Sequence, residues 1–173
     1  MNQEDQSASK RAVVQGIVLG GLTSGLIDLV YASATSAFKG ASVLRPWQGV
    51  AFGLIGPAAR DGGAGIALLG ITLHFMITFG AAAILTLILW SLPWFVKRPL
   101  MTGVLFGFGF LLVMNYVILP LSAIGRPIYA GQGFLTAILA HVIMMGLPIT
   151  WFVTRGIRLA KATDAPTLAQ PVT

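Results

Sequence analysis

The chain lacks cysteine and contains little charge. None of its 173 residues is Cys, so a disulfide, a thiolate metal site and a cysteine nucleophile are all excluded. Only 9% of the residues are charged, whereas a typical soluble domain is about 25% charged. This scarcity of charge excludes an ordinary soluble globular protein and also a charged, disordered tail.

Long apolar runs dominate the sequence, and 56% of its residues are hydrophobic. A helix needs about 20 residues to cross a hydrocarbon core of about 30 Å, and four runs are long enough. Because backbone polar groups in lipid must be satisfied within the segment, these runs are predicted to be helices. The predicted spans cover about 12–35, 65–92, 99–120 and 133–154. The fold class that follows is all-α, an integral membrane four-helix antiparallel bundle.

The segments outside the four runs divide the chain further. The apolar stretch 43–55 is too short to cross a membrane, and Pro46 suits the first turn of a helix that Gly56-Pro57 would end. We therefore predict a short interfacial or re-entrant helix in the first loop. Residues 12–158 would form the membrane domain, preceded by an N-terminal tail, 1–11, and followed by a disordered tail, 159–173.

The basic residues indicate the orientation of the bundle. With four spans, both termini lie on the same side as the turn at 93–98. That side carries seven basic residues: Lys10, Arg11, Lys97, Arg98, Arg155, Arg158 and Lys161. The opposite side carries four: Lys39, Arg45, Arg60 and Arg126. The positive-inside rule therefore predicts that both termini are cytoplasmic.

The net charge of +6 does not indicate a nucleic-acid partner. The basic residues are scattered singly or in pairs between apolar runs and form no stripe along one face. The predicted partner is the lipid bilayer. A homo-oligomer or a role as a subunit of a larger membrane complex remains open.

One polar residue stands out in each predicted span. These residues are Asp28, His74, Asn115 and His141. At 1.5 Å per helical residue, all four lie about 4–8 Å outside the midplane of the membrane. Small residues recur at intervals of four before Asp28, and small residues allow helices to approach closely. We therefore expect a buried polar cluster near the outer leaflet.

The cluster admits several interpretations. Its members can bond the helices to one another, with Asp28 and Asn115 each bonded to an imidazole. Asp28, His74 and His141 are also a ligand set suited to zinc or iron, with Asn115 supporting a ligand. A third interpretation is haem held between His74 and His141. A fourth is proton-coupled transport by a dimer, in which Asp28 is the titrating carboxylate. A lipid- or quinone-like ligand is the last.

The order of these elements resembles a known group. An Asp-bearing span (GGLTSGLIDLVYA) is followed by RPWQGV and by a span with one His (LLGITLHFMITFGAAAILTLIL). RPLMTGVLFGFGF opens the third span, VILPLSAIG ends it, and LTAILAHVIMMG carries the second His. The chain resembles the uncharacterised YagU-like proteins of the bacterial inner membrane. The resemblance covers about residues 12–158 and implies that the protein lies in the inner (plasma) membrane. It also implies that Asp28, His74 and His141 are the positions of functional interest.

The resemblance implies no activity, and Asn115 has no clear counterpart in the group's pattern. The sequence assigns no catalytic residue, and it favours a non-catalytic binding or accessory membrane protein. A metal- or haem-binding intramembrane enzyme and a dimeric proton-coupled transporter are the alternatives.

Overall fold

The structure is a computed structural model that describes residues 3–164. Four of its helices are long and apolar enough to cross a membrane, and we number them spans 1 to 4. Their bounds are Gln3–Phe38, Gly63–Ser91, Pro99–Leu121 and Gly131–Thr163. No strand occurs within the described residues. The predicted all-α bundle of four apolar helices is therefore confirmed.

Two of the spans extend beyond their predicted ends. The first helix begins at Gln3, so most of the tail predicted at 1–11 is helical and continuous with span 1. The last helix continues to Asp164, so residues 159–164 are helical rather than disordered. The remainder of that predicted tail, 165–173, lies outside the described residues. Hydropathy misses such ends because they are polar turns that continue an existing helix.

The first loop contains the expected short helix, Arg45–Ile55, followed by a 3-10 turn at Gly56–Ala59. Gly56 makes the junction with a φ of 65°, in the left-handed region that glycine tolerates. The loop helix packs tightly on span 2, since a Cβ at Gly70 would collide with the carbonyl oxygen of Trp47. Trp47 itself is only 3% exposed. The loop helix thus lies within the fold, with its indole against the bundle.

Span 1 packs on two neighbours through adjacent glycine pairs. Gly16 and Gly20 lie against the backbone of span 4, and Gly21 and Gly25 lie against phenyl rings of span 2. Glycine at intervals of four residues leaves a flat face on which a second helix can approach closely. Span 1 is therefore held between spans 2 and 4, with the face that carries Asp28 directed into the bundle.

Spans 3 and 4 touch where span 4 widens into a π-helical stretch, His141–Gly146. A Cβ at Gly146 would collide with the carbonyl oxygen of Gly103 and would lie 2.9 Å from the Cα of Gly107. Pro148 follows this stretch. Proline cannot donate a hydrogen bond, and its ring crowds the carbonyl four residues earlier, so the helix before it is displaced.

Span 3 repeats this pattern with a π-helical stretch, Met114–Ile118, just before Pro120. Such wide turns are rare and are frequent at functional sites. The two stretches contain Asn115 and His141 respectively. Two of the four polar residues singled out in the sequence thus lie on irregular helix.

The half of the bundle nearest the termini is a closed hydrophobic core. Its centre consists of buried side chains from spans 2 and 4, each at most 2% exposed: Leu85, Leu89, Ile149, Val153 and Ile157. Arg158 closes this end by donating from Nη2 to the Val96 carbonyl of the second loop at 2.6 Å. Apolar packing therefore dominates the centre of this half.

Replacing Gly146 with alanine tests the contact between spans 3 and 4. The added methyl group meets backbone that cannot rotate away, so we expect Gly146→Ala to destabilise the fold by about 1–3 kcal/mol. Thermal unfolding in detergent micelles would measure the loss.

Gly109→Ala is the matched control, because a Cβ there meets nothing within 4 Å. Alanine has the higher helix propensity, so this variant should be neutral or slightly more stable. Equal losses of stability in the two variants would contradict the close backbone contact.

Candidate functional site

Asp28 is the centre of the polar cluster. Its side chain is 40% exposed, and its Oδ2 lies 3.8 Å from Nδ1 of His74. Among the described residues, no Lys or Arg forms an ion pair with it. An ionisable side chain within a membrane span is costly and is therefore a functional candidate by default.

His74 is held in one orientation by the backbone of span 1. The ring is 8% exposed, and its Nε2 lies 3.1 Å from the carbonyl oxygen of Gly25. A carbonyl oxygen can only accept, so Nε2 carries the hydrogen, and Nδ1 of the neutral ring is an acceptor. Nδ1 and the Asp28 carboxylate then face each other across 3.8 Å, which is too far for a direct hydrogen bond.

His141 is oriented by a backbone carbonyl of its own helix. Its Nδ1 lies 2.8 Å from the carbonyl oxygen of Ala137, one turn earlier in span 4. Nδ1 therefore donates, and Nε2 of the neutral ring is left as an acceptor. No hydrogen bond to this Nε2 occurs within residues 3–164. The Asp28 carboxylate is close enough to interact electrostatically with the His141 ring.

Asn115 holds the third loop rather than a histidine. Its Oδ1 accepts from the backbone N–H of Ile128 at 3.1 Å and of Tyr129 at 3.0 Å. Its Nδ2 donates to the carbonyl oxygen of Tyr129 at 3.1 Å. The side chain is completely buried, and these bonds occupy its donor and its acceptor. The expected bond from Asn115 to an imidazole is therefore wrong, and its role is to position Tyr129.

Tyr129 completes the cluster from the third loop. Burial raises the pKa of its phenol above the ordinary value, and the negative charge of Asp28 raises it further. Its ring centre lies 6.0 Å from that of His141, edge to face. The loop thus places a phenol within electrostatic range of the carboxylate.

Aromatic rings flank each histidine and form two walls. On one wall, ring centres are 5.1 Å apart between Trp47 and His74 and 5.5 Å apart between His74 and Phe75. On the other wall, the ring centre of Phe110 lies 6.4 Å from that of His141, which Tyr129 also contacts. We call the site the aspartate cleft, and its residues are Asp28, Trp47, His74, Phe75, Phe110, Tyr129 and His141.

The predicted metal ligands do not assemble in this arrangement. Within the described part of the chain, no three His, Asp or Glu side chains are placed to hold a metal ion. Asp28 and His74 are neighbours, whereas His141 is linked to them only by an electrostatic interaction with Asp28. For haem, the Nε2 of His74 is already bonded to the Gly25 carbonyl.

Four residues of the aspartate cleft were not singled out from the sequence as site residues: Trp47, Phe75, Phe110 and Tyr129. Trp47 and Tyr129 lie in loops, and both read as ordinary aromatic residues near the membrane surface. The Nε1 of Trp47 donates to the Ser33 hydroxyl at 3.0 Å, which a sequence pattern does not reveal. The available signal was the polar residue Asn115, whose buried amide required partners.

The Tyr129 titration tests the link between the phenol and Asp28. In a chain carrying Tyr31→Phe and Tyr116→Phe, ultraviolet absorbance follows a single phenol. We expect a pKa above 10.0, and Asp28→Asn should lower this pKa because it removes the charge that opposes phenolate formation. The pKa should remain above its ordinary value, because burial is unchanged.

Asp61→Asn is the control, since it removes an exposed acidic residue from the first loop. This variant should leave the titration of Tyr129 unchanged. A Tyr129 pKa that does not respond to Asp28→Asn would show that the two groups do not share a site.

No protein-family model, curated protein or solved structure matches this chain. The resemblance to the YagU-like group therefore stays a prediction. What can be said of function follows from the geometry of the aspartate cleft.

Proposed function

We propose that the chain is a multi-pass protein of the bacterial inner membrane that binds a small ligand at the aspartate cleft and catalyses no reaction there. The observation that carries this proposal is the state of Asp28. Its carboxylate is 40% exposed and lies 3.8 Å from the nearest imidazole nitrogen. Among the described residues, no Lys or Arg pairs with this partly exposed carboxylate, so it is available to a ligand at membrane depth.

The shape of the bundle supports binding from one side. Beyond the aspartate cleft toward the termini, the interior is filled by the closed hydrophobic core around Leu85 and Ile149. On the other side, the walls of the cleft come from the loop helix and the third loop, through Trp47 and Tyr129. A ligand would therefore enter from the loop side, and the membrane would be sealed below it.

The basic residues support an orientation with both termini in the cytoplasm, as the sequence predicts. The aspartate cleft would then open near the outer leaflet, toward the outside of the cell. Among the arginines on that side, Arg60 stacks over the Phe52 ring at 5.0 Å. Lipid is the immediate partner, and an oligomer or a host complex stays a prediction.

A proton-coupled transporter is the second candidate. It is favoured by the proximity of Asp28 to Nδ1 of His74, because neighbouring ionisable side chains within membrane spans are typical of proton and ion pathways. Transport would require a second conformation in which the hydrophobic core opens.

Cysteine labelling tests the proposed access, because the chain has no cysteine of its own. Tyr129→Cys keeps the Asn115 bonds, since these reach only the backbone of residue 129. We expect it to react with impermeant methanethiosulfonates added outside intact cells. The quantity compared is the ratio of the reaction rate of the trimethylammonium reagent to that of the sulfonate reagent. This ratio should be higher when Asp28 is present than in the same chain with Asp28→Asn. The difference should be about threefold to tenfold, since nearby charges in water interact by about 1 kcal/mol.

Thr150→Cys is the control, because residue 150 is completely buried and should not react from either face. Labelling of Tyr129→Cys only in inverted vesicles would contradict the orientation. An absence of labelling from both faces would contradict an accessible cleft.

A further inference from the structure

The aspartate cleft presents hydrogen-bond acceptors to which no donor within residues 3–164 is bonded. Nδ1 of His74 and Oδ2 of Asp28 face each other at 3.8 Å. Nε2 of His141 is a further acceptor within the electrostatic range of the same carboxylate. Both histidines have this polarity because their other nitrogen donates to a backbone carbonyl. A ligand that fits this site must bring donors.

We propose that the aspartate cleft binds a primary ammonium ion with an apolar or aromatic body, whose N–H groups bridge Asp28 and Nδ1 of His74. This inference rests on the proposed function and specifies its ligand class. A single nitrogen can lie within about 2.9 Å of two acceptors that are 3.8 Å apart. The spacing of the two acceptors thus matches one small donor that carries several hydrogens.

The charge of the site favours a cation. Asp28 is the only acidic residue of the described spans that lies away from a helix end. Within residues 3–164, the titratable groups of other elements that interact with it are His74 of span 2, His141 of span 4 and Tyr129 of the third loop. None of these adds a positive charge while the histidines are neutral. A bound ammonium would neutralise Asp28, whereas an anion would be repelled.

The walls of the cleft favour an apolar body on that cation. Trp47 and Phe75 flank His74, and Phe110 and Tyr129 flank His141. Aromatic faces attract cations through their quadrupole and also bury apolar surface. Small-molecule sites are usually lined by apolar and aromatic side chains, with a small number of polar groups that converge on the ligand.

A polar group also lies deeper on the same face of span 1. Ser24 is one helical turn from Asp28, is 1% exposed, and its hydroxyl has no hydrogen-bond partner among the described residues. Buried hydroxyls are normally paired, so an unpaired one in a native fold calls for an explanation. A polar group of the ligand that reaches past Asp28 would meet this hydroxyl.

Three probes separate the features of this ligand class. Benzylamine supplies a positive charge and N–H donors. Benzyltrimethylammonium supplies the positive charge without N–H donors, and benzyl alcohol supplies neither the positive charge nor N–H donors. Calorimetric titration of the full chain in detergent at pH 8 would measure their dissociation constants. We expect benzylamine to bind at least about tenfold more tightly than either of the others, the range for charged hydrogen bonds.

Two variants locate the contacts. Asp28→Asn should weaken benzylamine binding by about tenfold or more. His74→Gln retains a donor for the Gly25 carbonyl and removes the Nδ1 acceptor, so it should weaken benzylamine but leave benzyltrimethylammonium nearly unchanged. Asp61→Asn, in the exposed first loop, should change neither constant. The comparison of the three probes on the unaltered chain needs no variant to fold.

The outcomes distinguish this inference from the proposed function. Equal affinity for benzylamine and benzyl alcohol would overturn recognition of a cation, and equal affinity for the two cations would overturn the N–H bridge. If none of the probes binds while Tyr129→Cys is still labelled from outside, the ligand class is wrong and the accessible cleft stands. If Tyr129→Cys is not labelled either, the proposed function fails first.

Discussion

The hydrogen bond from His74 to the carbonyl of Gly25 is the interaction on which the site depends. It joins spans 1 and 2 and determines which ring nitrogen faces Asp28. Glycine at position 25 favours this contact, because a Cβ there would lie 2.5 Å from the Phe75 ring and would displace that ring. The close approach of the two helices and the availability of Nδ1 are therefore consequences of the same contact.

The opposite wall of the cleft is built by a different means. Span 4 widens at His141, and the ring bonds back to the carbonyl of Ala137 in its own helix. Asn115, on the widened part of span 3, fixes the backbone that carries Tyr129. One wall thus depends on a contact between two regular helices, and the other depends on irregular helix and a loop. The carboxylate thus interacts with groups that are held in two different ways.

Much of the bundle could be predicted from the sequence, because hydropathy and small-residue spacing report directly on lipid exposure and helix packing. The glycines that face spans 2 and 4, and the proximity of Asp28 to His74, follow from that periodicity. The partners of Asn115 could not be predicted, since side-chain bonds to a loop backbone leave no periodic signal. The burial of Trp47 could not be predicted either, because it depends on how the loop helix packs onto span 2.

Nitrogen-15 chemical shifts of the His74 ring show which ring nitrogen carries the hydrogen and whether the other nitrogen senses Asp28. The chain has two histidines, so a His141→Gln variant assigns the resonances. We expect neutral His74 to carry its hydrogen on Nε2, and Nδ1 to be a bare acceptor whose shift changes in Asp28→Asn. A ring protonated on Nδ1 alone, or an Nδ1 shift that ignores Asp28→Asn, would contradict the geometry of the aspartate cleft.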